Sequence, residues 1–312
     1  MNNIARRHVL TFAIVFVAIL GMVWNARALA RLQETTDAKP YVLVAAPREN
    51  RARGERDYGP IAAFLTQALG HKVVYKHPDG WLTYELWIWK DRADIYFDGP
   101  QFDSWRLHYL DQTIGPRVPQ PQEWRLYTWK GSPITSIKEA ENGAVLCAPP
   151  IPNFGTLWVT SLFKDPSRQP YFRNTRGWKS IFDAVRKHRC LLGIGPRLTV
   201  HYLDAHHTEV TVLKKSRPYK NQAFTISAQL PPAVRAAIVR ALLSPAGEES
   251  MMRLRRRFSH GLPLVAGHAS EYLNADRELD AQWGTIYATG IDRYLKQDAK
   301  REGLPFLPLV KP

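Results

Sequence analysis

Short apolar runs alternate with segments of helical period twice along this 312-residue chain, and that alternation confines it to α/β architectures. Residues 41–46 form an apolar run ending at Pro47, which reads as a buried strand opening into a loop. Residues 58–69 then place Ile61, Ala62, Leu65 and Leu69 at helical spacing, and Gly70 supplies a stop. Residues 71–76 are a second strand, 81–90 an aromatic and apolar stretch of mixed spacing, 91–93 a turn, and 94–97 a third strand running into Gly99 and Pro100. The same grammar returns with strands at 143–147, 171–174 and 190–194 and helices at 155–163 and 178–187.

Between the two units lies 125–129, which alternates like a strand, and 210–214 supplies a second crossing. Two crossings return the later chain, including the alternating residues 223–226, to the first unit. The expected fold is α/β with two lobes, each a mixed sheet flanked by helices, and two hinge crossings. Lobe 1 is discontinuous, 41–125 and 215–260, and lobe 2 spans 130–210. Residues 261–312 form a C-terminal helical extension packing on lobe 1. Strand ends of such sheets converge on a cleft, the natural ligand site.

The first thirty residues resemble an export signal. Arg6 and Arg7 precede an uncharged run over 8–26 whose apolar heart, 9–24, is shorter than the roughly 20 residues of a comfortable membrane span. Ala26, Ala28 and Ala30 offer cleavage sites, so 1–30 is expected to be a signal peptide or, failing cleavage, an N-terminal membrane anchor. The expected location is the periplasm.

Lys and Arg outnumber Asp and Glu by 43 to 28, a balance that attracts anionic ligands, lipid head groups or an acidic partner. No zinc-finger spacing, basic zipper or aromatic RNA-binding signature accompanies the charge, so nucleic acid is not an expected partner. Arg253 to Arg257 reads as a solvated helix face, with attraction to a membrane surface the second reading. Cys147 and Cys190 are the only cysteines, compatible with one bridge in an oxidising compartment or with two buried thiols in two strands. His201, His206 and His207 lack the Cys or acid that would complete a metal set, so neither metal nor cofactor is expected. No nucleophile elbow, HExxH or phosphate loop is present, and Gly193-Ile-Gly195 lacks a third glycine, so no enzyme is expected.

Three motifs carry a resemblance: Tyr58-Gly-Pro-Ile-Ala-Ala-Phe-Leu65, Arg92-Ala-Asp-Ile-Tyr-Phe-Asp-Gly-Pro100 and Ile134-Thr-Ser-Ile-Lys-Glu-Ala140. Together with Ser216-Arg-Pro218 they resemble the periplasmic binding proteins of phosphate, phosphite and phosphonate importers, from about residue 41 to about residue 243. The resemblance implies a type II periplasmic-binding-protein fold and delivery of a small anionic solute to an ABC permease by a monomer.

The chain departs from that family where it would hold a phosphonate, at the start of a second-lobe helix whose hydroxyls and N–H groups form an anion site. That stretch reads Pro152-Asn-Phe-Gly-Thr156. Gly155 is kept and Thr156 offers a hydroxyl, while Asn153 and Phe154 stand in place of hydroxyls. Cys190 replaces an acidic residue suited to an aminoalkyl cation, and Arg197 adds a guanidinium nearby. Asp98 adds an acid to the first-lobe turn and, if buried, needs a cationic partner.

The resemblance also places Trp81 on the cleft wall, where core packing is the competing reading. Arg48 ends the first strand, and Gly99 and Gln101 sit in the turn beyond the third. Arg197 and Arg217 are the preferred cationic contacts because guanidinium forks grip oxyanions bidentately. The alternative to transport is a periplasmic accessory or sensor protein using the same fold with an altered ligand or none.

Overall fold

The computed structural model describes residues 39–279 apart from 142, 164 and 278. Sheet 1 has the order β2 (Val73–Tyr75), β1 (Tyr41–Ala45), β3 (Ile95–Asp98), β10 (Ala223–Ile226) and β4 (Thr113–Arg117). β1 runs parallel to both neighbours, pairing Leu43 with Tyr75 and with Ile95, while β10 returns antiparallel with Phe224 opposite Phe97. Parallel strands covered on both faces must be apolar throughout, which is why residues 43–45 and 95–97 read as unbroken apolar runs.

Sheet 2 repeats the pattern in the order β7 (Tyr171–Asn174), β6 (Val145–Ala148), β8 (Leu192–Pro196), β5 (Trp124–Trp129) and β9 (Val210–Lys215). Here β6 is parallel to β7 and β8, and β5 is antiparallel to β8 and β9. The two crossings, from β4 to β5 and from β9 back to β10, pair with each other. Gln122 and Tyr219 exchange backbone hydrogen bonds at 2.8 and 2.9 Å, and Val118 N–H donates to the Gln222 carbonyl at 2.9 Å. The chain thus has the expected two-lobe, type II architecture.

One face of sheet 1 buries Leu43, Phe97 and Phe224 against α1 (Arg51–Leu69) and α7 (Pro232–Leu242). Its other face buries Val44 and Tyr96 against α2 (Trp81–Trp89) and α3 (Pro100–Tyr109). In sheet 2, Leu126, Leu146 and Ile194 pack on α4 (Phe154–Thr160), and Tyr127 and Cys147 on α5 (Trp178–Arg186). Each fully buried Leu, Ile or Phe contributes about 1.5–3 kcal/mol, the main support of both cores.

Several elements depart from the sequence expectation. α1 starts at Arg51, inside a stretch expected to be loop, because Asn50 caps it by accepting from the Arg53 N–H at 3.0 Å, and Pro60 lies within the helix. Gly54 on this helix meets β2 so closely that a Cβ would stand 2.6 Å from the Tyr75 hydroxyl. The mixed-spacing segment is α2, apolar around most of its circumference, which erases the periodic signal. β4 contains Pro116, tolerated at the edge of sheet 1. The strand expected at 190–194 runs on to Pro196 as β8, and α6 (Arg197–Leu203) follows it directly.

Cys147 and Cys190 form a disulfide with their Cα atoms 5.8 Å apart, so the bridge is the reading that holds. In α9 (Met252–Phe258), which follows α8 (Pro245–Ser250), Arg253 and Arg256 are exposed while Leu254 is buried. The described part of the C-terminal extension places Leu264 in the core of lobe 1 and Ala275 against that of lobe 2. The rest of the extension and the export segment lie outside the described residues. Among the described residues no helix is long and apolar enough to cross a membrane.

Candidate functional site

The loop leaving β1 turns back at once, the Arg48 N–H donating to the Ala46 carbonyl at 2.8 Å, and it aims Arg48 and Glu49 toward α9. There Phe258 lies between two guanidinium groups, with Arg48 5.5 Å and Arg257 4.9 Å from its ring centre. Arg257 bonds Glu49 at 2.7 Å and approaches Asp57 at 3.5 Å. Burial works against its charge, but Glu49 and Asp57 outweigh burial and hold this guanidinium above its ordinary value. Arg48 contrasts with it, since its Nη1 is buried with no hydrogen-bond partner among the described residues.

Opposite stands the turn after β3. Gln101, on the first turn of α3, reaches across to the other lobe, where its Nε2 donates to the Pro152 carbonyl at 3.0 Å. Its Oε1 is buried and unpartnered. From the crossings come Gln122, Trp124 and Gln222. The Gln122 Nε2 donates to Asn221 Oδ1 at 2.8 Å, and Asn221 in turn donates to the Gln120 carbonyl at 3.0 Å. That chain of donors leaves Gln122 Oε1 buried and unpartnered, as is the indole Nε1 of Trp124. The Trp124 ring packs on Gly155, where a Cβ would come within 2.5 Å of it, so only glycine fits that position on α4.

These residues enclose a cavity of about 380 Å³, completed by Gly99, Asn153, Phe154, Trp178 and Pro196. Sheet 1, both crossings and the elements around sheet 2 all contribute to it. A smaller space of about 180 Å³ adjoins it through Gln122, Trp124, Pro196, Gln222, Arg257 and Phe258, and extends to Arg197 and His260. Arg197 at its edge pairs with Glu123 at 3.0 Å.

Of the residues singled out in the sequence, Arg48, Gly99, Gln101, Asn153 and Phe154 line the larger cavity, and Arg197 the smaller. The others lie elsewhere. Trp81 stacks on Phe102 with ring centres 6.3 Å apart, within the packing of α2 and α3. Asp98 is sealed beneath the turn, where Arg106 supplies its cationic partner and the Tyr84 hydroxyl donates to the same carboxylate. Thr156 spends its hydroxyl on the Pro149 carbonyl at 2.7 Å, and Asn153 Oδ1 accepts the Gly155 N–H at 3.0 Å, so both of these side chains are engaged locally at the start of α4. Arg217 lies 4.5 Å over the Tyr219 ring and donates to the Asn274 carbonyl.

The cavity residues missed in the sequence come from the crossings and from α9, with Trp178 from the start of α5 and Pro196 from the end of β8. The alternation of 125–129 showed a strand but neither its start at Trp124 nor its role as a wall, and Arg257 sat in a run read as solvated. His201, His206 and His207 are exposed, and among the described residues no group of three His, Cys, Asp or Glu could hold a metal.

A family model described as an ABC transporter, phosphonate, periplasmic substrate-binding protein matches residues 43–272. The chain belongs to this family. Its members are the periplasmic substrate-binding components of ABC transporters rather than enzymes, and work beside a permease.

Solved structures agree on the fold of this phosphonate-family protein. A Xanthomonas citri protein, determined with chloride and with ATP, matches with TM-score 0.59 at 11% identity, covering 78% of this chain and 98% of that one. A Prochlorococcus marinus protein in complex with methylphosphonate matches with TM-score 0.55 at 8% identity, covering 79% and 98%. A binding-protein component of a Pseudomonas aeruginosa ABC phosphonate transporter matches with TM-score 0.51 at 12% identity, covering 85% and 100%. No curated protein matches this family member.

Proposed function

We propose that this binding protein captures a small anionic solute in the cavity between its lobes and delivers it, as a monomer, to an ABC permease. One observation carries the reading: the Arg48 guanidinium lines the cavity with a buried Nη1 that nothing among the described residues satisfies. A buried donor left unpaired costs about 1–3 kcal/mol, and more when charged, so a ligand oxygen that accepts from it recovers that cost. The Oε1 atoms of Gln101 and Gln122 and the Nε1 of Trp124 add three further unspent groups around the same space. Lobes 41–125 with 215–260 and 130–210 then move about the paired crossings, and the Gln101–Pro152 bond is a contact of the closed form.

The local engagement of the Asn153 and Thr156 side chains at the start of α4 supports a site whose polar side-chain contacts have moved toward Arg48 and the crossings. An accessory or sensor role would use the same cavity and differ only in what reads the closed state.

Native mass spectrometry of the protein isolated from its own envelope tests the reading. The expected spectrum shows a small solute that collisional activation strips from the wild type and that is missing from Arg48→Met. Bare chain in both preparations, with no thermal shift on adding inorganic phosphate, methylphosphonate or small carboxylates, would overturn it.

A further inference from the structure

The cavity holds more information about its occupant than the charge of Arg48. Four of its lining residues, Trp124, Phe154, Trp178 and Phe258, are aromatic, with Trp124 and Trp178 at 5.5 Å between ring centres. About 380 Å³ is room for roughly a dozen waters at ~30 Å³ each, several times what a bare oxyanion fills. Such walls favour a flat apolar body, since aromatic side chains gain from offset or edge contacts with another ring.

The far end asks for a donor. Gln101 anchors its amide nitrogen on the Pro152 carbonyl, and Gln122 anchors its own on Asn221, whose orientation is set by the Gln120 carbonyl and the Gln222 N–H. Both amides are therefore held with oxygen, not nitrogen, left over, and both oxygens are buried. Among the described residues no Asp or Glu lines the cavity, and of the two lining guanidinium groups Arg257 is already paired with Glu49 and Asp57, which leaves Arg48 as the unspent charge. An ammonium group would meet that guanidinium and no lining carboxylate, so a neutral hydroxyl or ring N–H suits these oxygens better.

Resting on the function proposed above, we infer that the ligand is an aromatic anion carrying a neutral hydrogen-bond donor: its anionic group on Arg48, its ring against Trp124, Trp178 and Phe258, its donor on Gln101 or Gln122. This sets the protein apart from a receptor for a bare or aminoalkyl phosphonate.

Isothermal titration of the full chain with methylphosphonate, 2-aminoethylphosphonate, benzylphosphonate and 4-hydroxybenzylphosphonate tests the inference. Benzylphosphonate is expected to bind roughly tenfold tighter than methylphosphonate, and the 4-hydroxy compound roughly tenfold tighter again. Trp178→Ala reduces the first step, and either Gln101→Leu or Gln122→Leu the second, each leaving the other step intact. Methylphosphonate or 2-aminoethylphosphonate binding as tightly as the aryl compounds would overturn the inference while leaving the anion site standing. Failure of all four to bind would remove both.

Discussion

Arg106 holds Asp98 through both terminal nitrogens, Nη1 to Oδ2 at 2.8 Å and Nη2 to Oδ1 at 2.6 Å, with neither side chain exposed to solvent. The same guanidinium bonds Asp103 at 3.0 Å and Thr225 at 2.7 Å and lies 4.5 Å over the Tyr96 ring, tying α3 to β3 and β10. Burial first, and then the neighbouring Asp98 charge, push the Asp103 carboxyl well up, against the pull of Arg106. The turn that carries Gly99 and Gln101 rests on this cluster.

Arg106→Met is therefore expected to lose about 3–5 kcal/mol of stability, because it strands two buried carboxylates without their shared partner. Urea denaturation followed by tryptophan fluorescence measures the loss.

Glu85, on α2, is pushed up to about 7 by burial. A carboxyl whose folded value lies above its unfolded one favours folding when protonated, so stability falls as pH rises from about 4.5 to about 7. Glu85→Gln removes that loss. Allowing for water reaching a partly exposed group, the variant should exceed the wild type by about 1 kcal/mol at pH 8 and match it at pH 4. Paired thermal melts at the two pH values check this.

Glu271 behaves in the opposite sense. Partial burial raises its carboxyl, but bonds from Arg117 and Lys220 and from the His268 N–H pull it down to about 2. This depressed value contributes stability that is complete above about 4.5 and lost as pH falls toward 2. Glu271→Gln should cost about 1–2 kcal/mol at pH 7, with the difference vanishing near pH 2. Acid unfolding curves of the two proteins decide it.

The Cys147–Cys190 bridge closes a loop of sequence separation 43 within lobe 2. Cys147→Ser with Cys190→Ser should lower stability by about 2–4 kcal/mol through the gain in freedom of the unfolded chain. The drop should appear equally on reducing the wild type, as read by guanidinium denaturation with and without reductant.

Much of the fold was legible because buried parallel strands must be apolar runs and their helices must show one apolar face. Residues 41–46 and 94–97 announce themselves in this way, and the antiparallel 223–226 by its alternation. α2 hid because it is apolar nearly all round, and β4 because Pro116 argues against a strand unless an edge is known to be there. Half the site was legible for a similar reason: Arg48, Gly99 and Gln101 follow strand ends, where sheets of this type open their clefts. Gln122, Trp124, Gln222, Arg257 and Phe258 were not, since only the pairing of the two crossings and the return of α9 bring them to Arg48. Asp98 illustrates the reverse case, a charged residue at a promising turn whose carboxylate is spent on Arg106 and the Tyr84 hydroxyl.

A crystal structure of the full chain grown with 4-hydroxybenzylphosphonate tests the central claim most directly. The account predicts ligand density inside the 380 Å³ cavity, with an anionic oxygen within hydrogen-bond distance of Arg48 Nη1. Density elsewhere on the protein, or a cavity filled only by water under saturating ligand, would contradict it.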